Sequence, residues 1–304
     1  MTKHSYIRLN GKIVPAAEAR VHIIAPAVQY AATVFEGVRG YWNAERQQLY
    51  LFRLDDHLRR LEFSMKVMRF DPPGTLAEIR AGVIETIHAN MLKEDIHLRI
   101  LAYLDGPPVI TATGPVGLAI SAGPYPKNEF SEKGMACAVS SWTRLPDNTS
   151  PPRVKVTANY NNGRLAAIQA KSDGYDAPIL LSSSGHVSEG PQANLFMVRN
   201  NRVVTPRLTD GILESITRAT LIDLFSKEHG LDTEERAIDR SELYAAEELF
   251  FCGSGLEIRP ITSVDRLPVG DGHVGAITRK IAASYFACVR GTRNAWQEWL
   301  TPVW

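Results

Sequence analysis

The most informative stretch of this chain is Lys155-Val-Thr-Ala-Asn-Tyr160, followed further along by Glu189-Gly-Pro-Gln-Ala-Asn-Leu-Phe196. The amine of Lys155 can form a Schiff base with an aldehyde. A carboxylate such as that of Glu189 can keep a ring nitrogen protonated, so that the ring draws electrons from a neighbouring carbon. Together the two runs predict chemistry on an aromatic aldehyde cofactor.

Four further blocks accompany these two runs along the chain. They are Val34-Phe-Glu-Gly-Val-Arg39, His57-Leu-Arg-Arg-Leu61, Gly211-Ile-Leu-Glu-Ser-Ile-Thr-Arg218 and Gly253-Ser-Gly-Leu-Glu-Ile258. In wording and order, the blocks resemble the branched-chain aminotransferases, which are fold-type IV (class IV) enzymes that use pyridoxal 5'-phosphate (PLP). The resemblance implies an α/β fold of mixed α+β character, in which a small α/β domain and a larger pseudo-barrel domain hold the cofactor at their interface.

The composition is that of an ordinary soluble protein. The chain has 304 residues, is 44% hydrophobic and 22% charged, and carries a net charge of +1. This charge gives no reason to expect a nucleic acid or a membrane surface as a partner. Three widely spaced cysteines predict free thiols in a reducing compartment, and the absence of CxxC or HExxH spacing argues against a metal site. With no apolar leader at the N-terminus, we expect a cytoplasmic protein.

A proline-containing, charged stretch divides the chain into two parts, and hydrophobic periodicity predicts the elements within them. The stretch 124–134 contains proline and several charges, which is typical of a linker, so we expect domains over 1–123 and 135–304. Asn10-Gly11 predicts a hairpin within 6–14. Apolar stripes predict helices over 54–68 and 76–91. Further helices are predicted over 162–171, 215–229, 242–247 and 276–289. Further strands are predicted over 47–53, 96–103, 116–122, 135–142, 177–181, 194–198, 202–204 and 248–252.

The resemblance implies a set of cofactor-binding residues. Lys155 is expected to form the Schiff base and to act as the general acid and base, while Glu189 pairs with the ring nitrogen. The start of the predicted helix at Ile216 offers amides for the phosphate. Arg60 is preferred over the adjacent Arg59 for that phosphate, by alignment on His57 and Leu61. The full predicted set is Lys155, Arg60, Tyr160, Glu189, Asn194, Ile216, Thr217 and Ser254.

Substrate recognition is predicted from a second set, in which Arg99 and backbone amides near Gly255 meet an amino-acid carboxylate. Its members are Tyr30, Phe35, Gly37, Arg39, His97, Arg99, Gly255 and Leu256. His97 stands where the family usually has an aromatic residue, and the loop 105–114 lacks the family's usual pattern. The range of substrates therefore stays open at this point.

The expected function is transfer of an amino group from leucine, isoleucine or valine to 2-oxoglutarate, through a Lys155 Schiff base and pyridoxamine phosphate. The resemblance also implies a homodimer or larger assembly. An (R)-selective amine transaminase, a D-amino-acid aminotransferase and an aminodeoxychorismate lyase share this fold and remain alternatives. A PLP-binding scaffold without catalysis is a rival from another class, although the presence of Lys155, Tyr160 and Glu189 argues against it.

Overall fold

The computed structural model describes residues 5–126 and 130–304, so residues 127–129 of the predicted linker lie outside the described residues. The described chain forms two compact units. Residues 5–126, 154–158 and 287–304 belong to the first unit, and residues 130–153 and 159–286 belong to the second. The predicted linker falls where the first unit ends. No feature of the sequence predicts that 154–158 and 287–304 belong to that unit.

The first unit is built on a seven-stranded sheet. Its strands are β1 (Tyr6–Leu9), β2 (Lys12–Pro15), β3 (Thr33–Asn43), β4 (Gln48–Phe52), β5 (Ile96–Leu104), β6 (Val116–Pro124) and β15 (Leu300–Pro302). They lie in the order β15-β4-β3-β5-β6-β1-β2. The predicted hairpin is confirmed, because β1 and β2 pair antiparallel across Asn10 and Gly11, both of which have positive φ.

Three helices belong to this unit: α1 (Pro26–Gln29), α2 (Leu54–Val67) and α3 (Leu76–Ala89). The predicted apolar stripes of α2 and α3 are confirmed. Leu58, Leu61, Ile79 and Val83 are buried with Val34 and Val38 of β3 in one hydrophobic core. Thr75 begins α3 with a capping box, in which its hydroxyl accepts from the Glu78 amide.

The second unit contains an eight-stranded sheet in the order β11-β10-β9-β12-β13-β7-β8 with β14 beside β13. Its strands are β7 (Met135–Thr143), β8 (Ala177–Leu181), β9 (Asn194–Arg199), β10 (Arg202–Thr205), β11 (Thr233–Glu235), β12 (Glu248–Gly253), β13 (Glu257–Val264) and β14 (Leu267–Pro268). The described residues of this unit also form helices α4 (Ala158–Ser172), α5 (Ile216–His229) and α6 (Ala276–Val289). Contact clustering assigns the first residue of α4 and the last residues of α6 to the first unit.

Most predicted elements of this unit are confirmed, and α6 has the predicted limits. The prediction of an α-helix over 242–247 was wrong in type, because Arg240–Ala245 is a 3₁₀ helix. It begins with a capping box of Asp239 and Glu242. Helix α4 begins at Ala158, before the predicted residue 162. Within the described part of the chain, no helix is long and apolar enough to cross a membrane.

Candidate active site

Five predicted substrate residues lie together on one face of the first sheet. In the antiparallel pair β3–β5, Arg39 lies opposite His97, Gly37 opposite Arg99, and Phe35 opposite Leu101. Directly opposite residues of an antiparallel pair project to the same side. The intervening Val34 and Val38 point the other way, into the core beneath α2 and α3. The structure therefore gathers Phe35, Gly37, Arg39, His97 and Arg99 on the sheet face turned away from α2 and α3. We term it the open sheet face because it carries neither helix, although Phe35 and Arg39 on it are 6% and 1% exposed.

Lys155 joins this face from a short segment beside β3. Val154 and Val156 on either side of it are each 1% exposed and belong to the core, so Lys155 points away from the core. Its carbonyl oxygen accepts from the Phe35 amide at 2.9 Å, and its amide donates to the Ser64 hydroxyl at 3.3 Å. The Lys155 ammonium lies 4.8 Å from the centre of the Phe35 ring.

This face has a strongly positive character. The Arg99 guanidinium lies 5.1 Å from the centre of the Phe35 ring, and that of Arg39 lies 4.3 Å from the centre of the Tyr125 ring. Burial, together with the charges of Arg99, Arg39 and Lys155, lowers the pKa of His97 to about 3. His97 is therefore a neutral, polar side chain among cations. Such a face suits an anionic substrate group.

Gly37 keeps this face open beside His97. A Cβ atom at Gly37 would lie 3.2 Å from the His97 Nε2, so a larger residue would push against the imidazole. Tyr30, which follows α1, is exposed, and its hydroxyl donates to the Pro108 carbonyl at 3.2 Å. The structure thus places Tyr30 against the 105–114 loop, while its hydroxyl makes no described bond to the five residues of the sheet face.

Arg60, the predicted phosphate ligand, is held by a buried acid on β3. Its Nε and Nη2 donate to Glu36 Oε1 and Oε2 at 2.7 and 2.8 Å. The adjacent Arg59 is 68% exposed in its side chain and pairs with Asp56. Arg59 therefore has the environment of a solvated helix residue, which agrees with the choice of Arg60.

Glu189 is the centre of the predicted site in the second unit. Its carboxylate is almost fully buried and lies 2.8 Å from the Arg144 Nη2. It also accepts from the Asn194 side-chain amide at 3.0 Å and from the Leu213 amide at 3.2 Å. A buried carboxylate needs such partners to remain ionised. The predicted residues Glu189 and Asn194 are thus in direct contact.

The predicted phosphate residues of the second unit also meet. The hydroxyls of Thr217 and Ser254 are 3.5 Å apart, at the start of α5 and just after β12. The hydroxyl of Ser215 caps α5 by accepting from the Arg218 amide. The amides of Ile216 and Thr217 in the first turn have no acceptor within the helix itself. Hydroxyls, first-turn amides and the positive end of the helix dipole together can bind an anion.

The remaining predicted residues have distinct environments. Gly255 and Leu256 form the turn between β12 and β13, and a Cβ at Gly255 would meet no atom within 4 Å. Leu256 packs against the core of the second unit. Tyr160 is half-buried in the first turn of α4. Tyr160 groups with the second unit, whereas Lys155 groups with the first.

Sequence reasoning missed four residues that hold predicted ones in place: Glu36, His57 in its contact to Glu36, Ser64 and Arg144. A signal existed for Glu36, because a glutamate inside an apolar strand must find a partner when it is buried. Because side chains alternate along β3, Glu36 also points to the side of the sheet away from Phe35 and Gly37. For Arg144, which follows the end of β7, the sequence offers no comparable signal.

Comparison with known proteins gives a consistent result. Residues 33–264 match the model of the amino-transferase class IV family. A probable branched-chain-amino-acid aminotransferase of Aquifex aeolicus is 37% identical over 298 residues, which cover 97% of this chain and 95% of that protein. Two crystal structures superpose with a TM-score of 0.94. They are the branched-chain amino acid aminotransferase of Thermobaculum terrenum in its PLP form (39% identical, 100% of both chains covered) and that of Thermoproteus uzoniensis with norvaline (40% identical, 99% of this chain and 100% of that chain covered).

Proposed function

Because the chain belongs to the class IV amino-transferases, we propose that it transfers the amino group of leucine, isoleucine or valine to 2-oxoglutarate with PLP as cofactor. The observation that carries the proposal is Lys155, which the core valines on either side of it direct toward Phe35 and the cationic sheet face. The choice of branched-chain substrates is supported by the relatives, which are branched-chain aminotransferases.

The side chains present fit the three reactive parts of PLP. An aldehyde needs an amine, which Lys155 supplies. A ring nitrogen needs a buried carboxylate, and Glu189 is buried and held by Arg144. A phosphate needs hydroxyls, amides and positive charge, which Thr217, Ser254, the start of α5 and Arg60 supply. When bound, PLP supplies a ring that accepts the electrons of the bond broken at the substrate α carbon.

Different residues of this chain are assigned to proton transfer, to the ring nitrogen and to the exclusion of water. With PLP bound, the Lys155 Nζ would take the proton from the substrate α carbon and deliver it to the carbon that carried the PLP aldehyde. Glu189 would hold a proton at the ring nitrogen, and Asn194 and the Leu213 amide keep its carboxylate in one orientation. The Phe35 ring covers the Lys155 amine from one side and limits the access of water.

Substrate binding is assigned to the open sheet face. Arg39, Arg99 and the neutral His97 offer charge and hydrogen bonds for a carboxylate, whereas the Phe35 ring offers apolar contact for a branched side chain. One pocket of this composition suits both partners of the reaction, since 2-oxoglutarate carries a second carboxylate where leucine carries methyl groups. Backbone amides at Gly255 and Leu256 are assigned to the carboxylate on the α carbon.

The experiment is a substrate panel with two lysine variants. We expect glutamate to form from 2-oxoglutarate with leucine, isoleucine or valine as donor, and borohydride to fix PLP covalently at residue 155. Lys155→Ala should lose both properties. Lys171→Ala, which removes an exposed lysine near the end of α4, should keep both.

Other outcomes of the same panel would overturn the proposal. Turnover of (R)-1-phenylethylamine or D-alanine without turnover of leucine would assign the protein to another member of the fold. Release of pyruvate from aminodeoxychorismate with no amino acceptor would indicate the lyase. A Lys155→Ala variant that still transfers amino groups would show that the wrong lysine is assigned.

We also propose a homo-oligomer located in the cytoplasm. Val109 and Ile110 in the 105–114 loop are 49% and 75% exposed, which supports burial of this loop against a second copy. All three cysteines are buried and none forms a disulfide among the described residues, which supports a reducing compartment. Light scattering of the purified protein and of Ile110→Asp tests the assembly. A wild-type monomer at micromolar concentration would contradict it.

A further inference from the structure

Behind the open sheet face lies a buried cluster of three charged or titratable side chains: Glu36, His57 and Arg60. The Glu36 and His57 side chains are 0% and 1% exposed, and that of Arg60 is 11% exposed. The His57 Nδ1 lies 2.6 Å from the Glu36 Oε2, the oxygen that also accepts from the Arg60 Nη2. Neither Glu36 nor His57 belongs to the predicted cofactor-binding or substrate-binding residues.

The protonation states of the cluster follow from its geometry. Burial by itself would raise the pKa of Glu36, but the charge of Arg60 and the hydrogen bonds from Arg60 and His57 outweigh it and hold that pKa well below its ordinary value. Burial lowers the pKa of His57. His57 is therefore neutral, and it donates from Nδ1 because an ionised carboxylate can only accept. Glu36 and Arg60 form the ion pair.

The pair fixes the direction of the guanidinium. Two parallel bonds from Nε and Nη2 lock the plane of a guanidinium to the plane of a carboxylate. They engage two of its five N–H groups. Glu36 is itself fixed, because it lies in the middle of β3, hydrogen-bonded to β5 at the level of Ile100. A flexible arginine on α2 is thereby anchored to the central part of the sheet.

We propose that Glu36 is a positioning residue that orients Arg60 for the phosphate of PLP, with His57 as the buried donor that holds the Glu36 carboxylate in place. This inference rests on the proposed function, since it assigns a phosphate to Arg60. Two physical effects of Glu36 oppose each other. Its geometry favours phosphate binding by fixing Arg60, while its negative charge repels the phosphate. The proposal states that geometry dominates.

Three variants separate the two effects, with PLP and phosphate-free pyridoxal as ligands. Glu36→Gln removes the charge and one acceptor, whereas Glu36→Asp keeps the charge but moves it back by one carbon. Asp95→Asn is the matched control, because Asp95 accepts two bonds from Arg290 in a similar pair that contains none of the predicted site residues. Equilibrium dialysis gives each dissociation constant, and circular dichroism verifies folding.

We expect both Glu36 variants to weaken PLP binding by about 10- to 100-fold, the range known for outer-shell partners of metal ligands. Pyridoxal binding should change less than about threefold, and Asp95→Asn should bind both ligands as the wild type does. Adding Arg60→Gln to Glu36→Gln should cause little further loss, since both changes remove one function.

Unchanged or tighter PLP binding by Glu36→Gln, together with wild-type binding by Glu36→Asp, would show that charge dominates and would overturn the inference. Equal weakening of PLP and pyridoxal would also overturn it, because the effect would not pass through the phosphate. If Glu36→Gln does not fold, Glu36→Asp alone decides between these outcomes. A wild-type protein that binds no PLP would instead refute the proposed function.

Discussion

Arg144→Met tests how much the buried carboxylate of Glu189 depends on its arginine partner. The Arg144 Nη2 lies 2.8 Å from the Glu189 Oε1, and the two side chains are 6% and 7% exposed. Removing one partner of a buried ion pair costs about 3–5 kcal/mol of unfolding free energy. Glu189 keeps Asn194 and the Leu213 amide as donors. Methionine also replaces the aliphatic part of the arginine, so we expect the lower end, about 3 kcal/mol.

Urea denaturation of the cofactor-free protein, followed by circular dichroism, measures this loss. Arg153→Met is the control in the same unit, because Arg153 pairs with Glu214 at 2.8 Å where the two side chains are 34% and 47% exposed. An exposed pair contributes about 0–1 kcal/mol. The double variant Arg144→Met/Glu189→Gln removes the uncompensated charge and should recover at least about half of the loss. The reasoning is refuted if Arg144→Met costs no more than Arg153→Met, or if the double variant recovers nothing.

Three further experiments test His97, Cys252 and Gly275. The low pKa of His97, about 3, means that protonation favours the unfolded state, so its cost to stability appears below about pH 6.5 and grows toward pH 3. The imidazole NMR signal of His97 is assigned by its loss in His97→Phe. It should not titrate above pH ~5, and a midpoint near 6.5 would contradict this. Burial raises the pKa of the Cys252 thiol, so labelling by iodoacetamide at pH 8 should need unfolding, and rapid labelling of the native protein would contradict it. In Gly275→Ala, the new Cβ would lie 1.9 Å from the Glu248 Cδ. It should displace the carboxylate that accepts the first-turn amides of α6, at a cost of about 1–2 kcal/mol in urea denaturation; a loss below about 0.5 kcal/mol would contradict it.

Elements whose signal is local were predictable from the sequence. Helix α2 buries Leu58 and Leu61 along the stripe that its spacing predicts. Gly230 ends α5 in the left-handed conformation expected of a glycine at that position. For each of these, the information lies within a few residues of the element itself. Tertiary packing confirms the local preference and does not override it.

Elements that depend on distant pairing were not predictable in the same way. Strand β15 pairs with β4, and Lys155 lies beside β3 because Val156 bridges Val34. No periodicity in 154–156 or 300–302 specifies such partners, since the pairing is decided by the edge or gap that the remaining sheet leaves. The same limit applies to Arg144, whose partner Glu189 lies 45 positions later. An arginine near the end of a strand has no local feature that identifies a buried acid elsewhere.

The alternation of β3 explains how one short block can serve two tasks. Phe35, Gly37 and Arg39 project to the open face, and Glu36 projects between them toward α2. Because the side-chain period of a strand is two, a shift of register by one residue would exchange these faces. It would turn the cation of Arg39 toward the apolar core and leave Arg60 without its acid. The apolar residues Val34 and Val38 oppose that shift, since they must stay in the core. The same packing that stabilises this unit therefore holds Phe35 and Arg39 on the open sheet face and Glu36 toward Arg60.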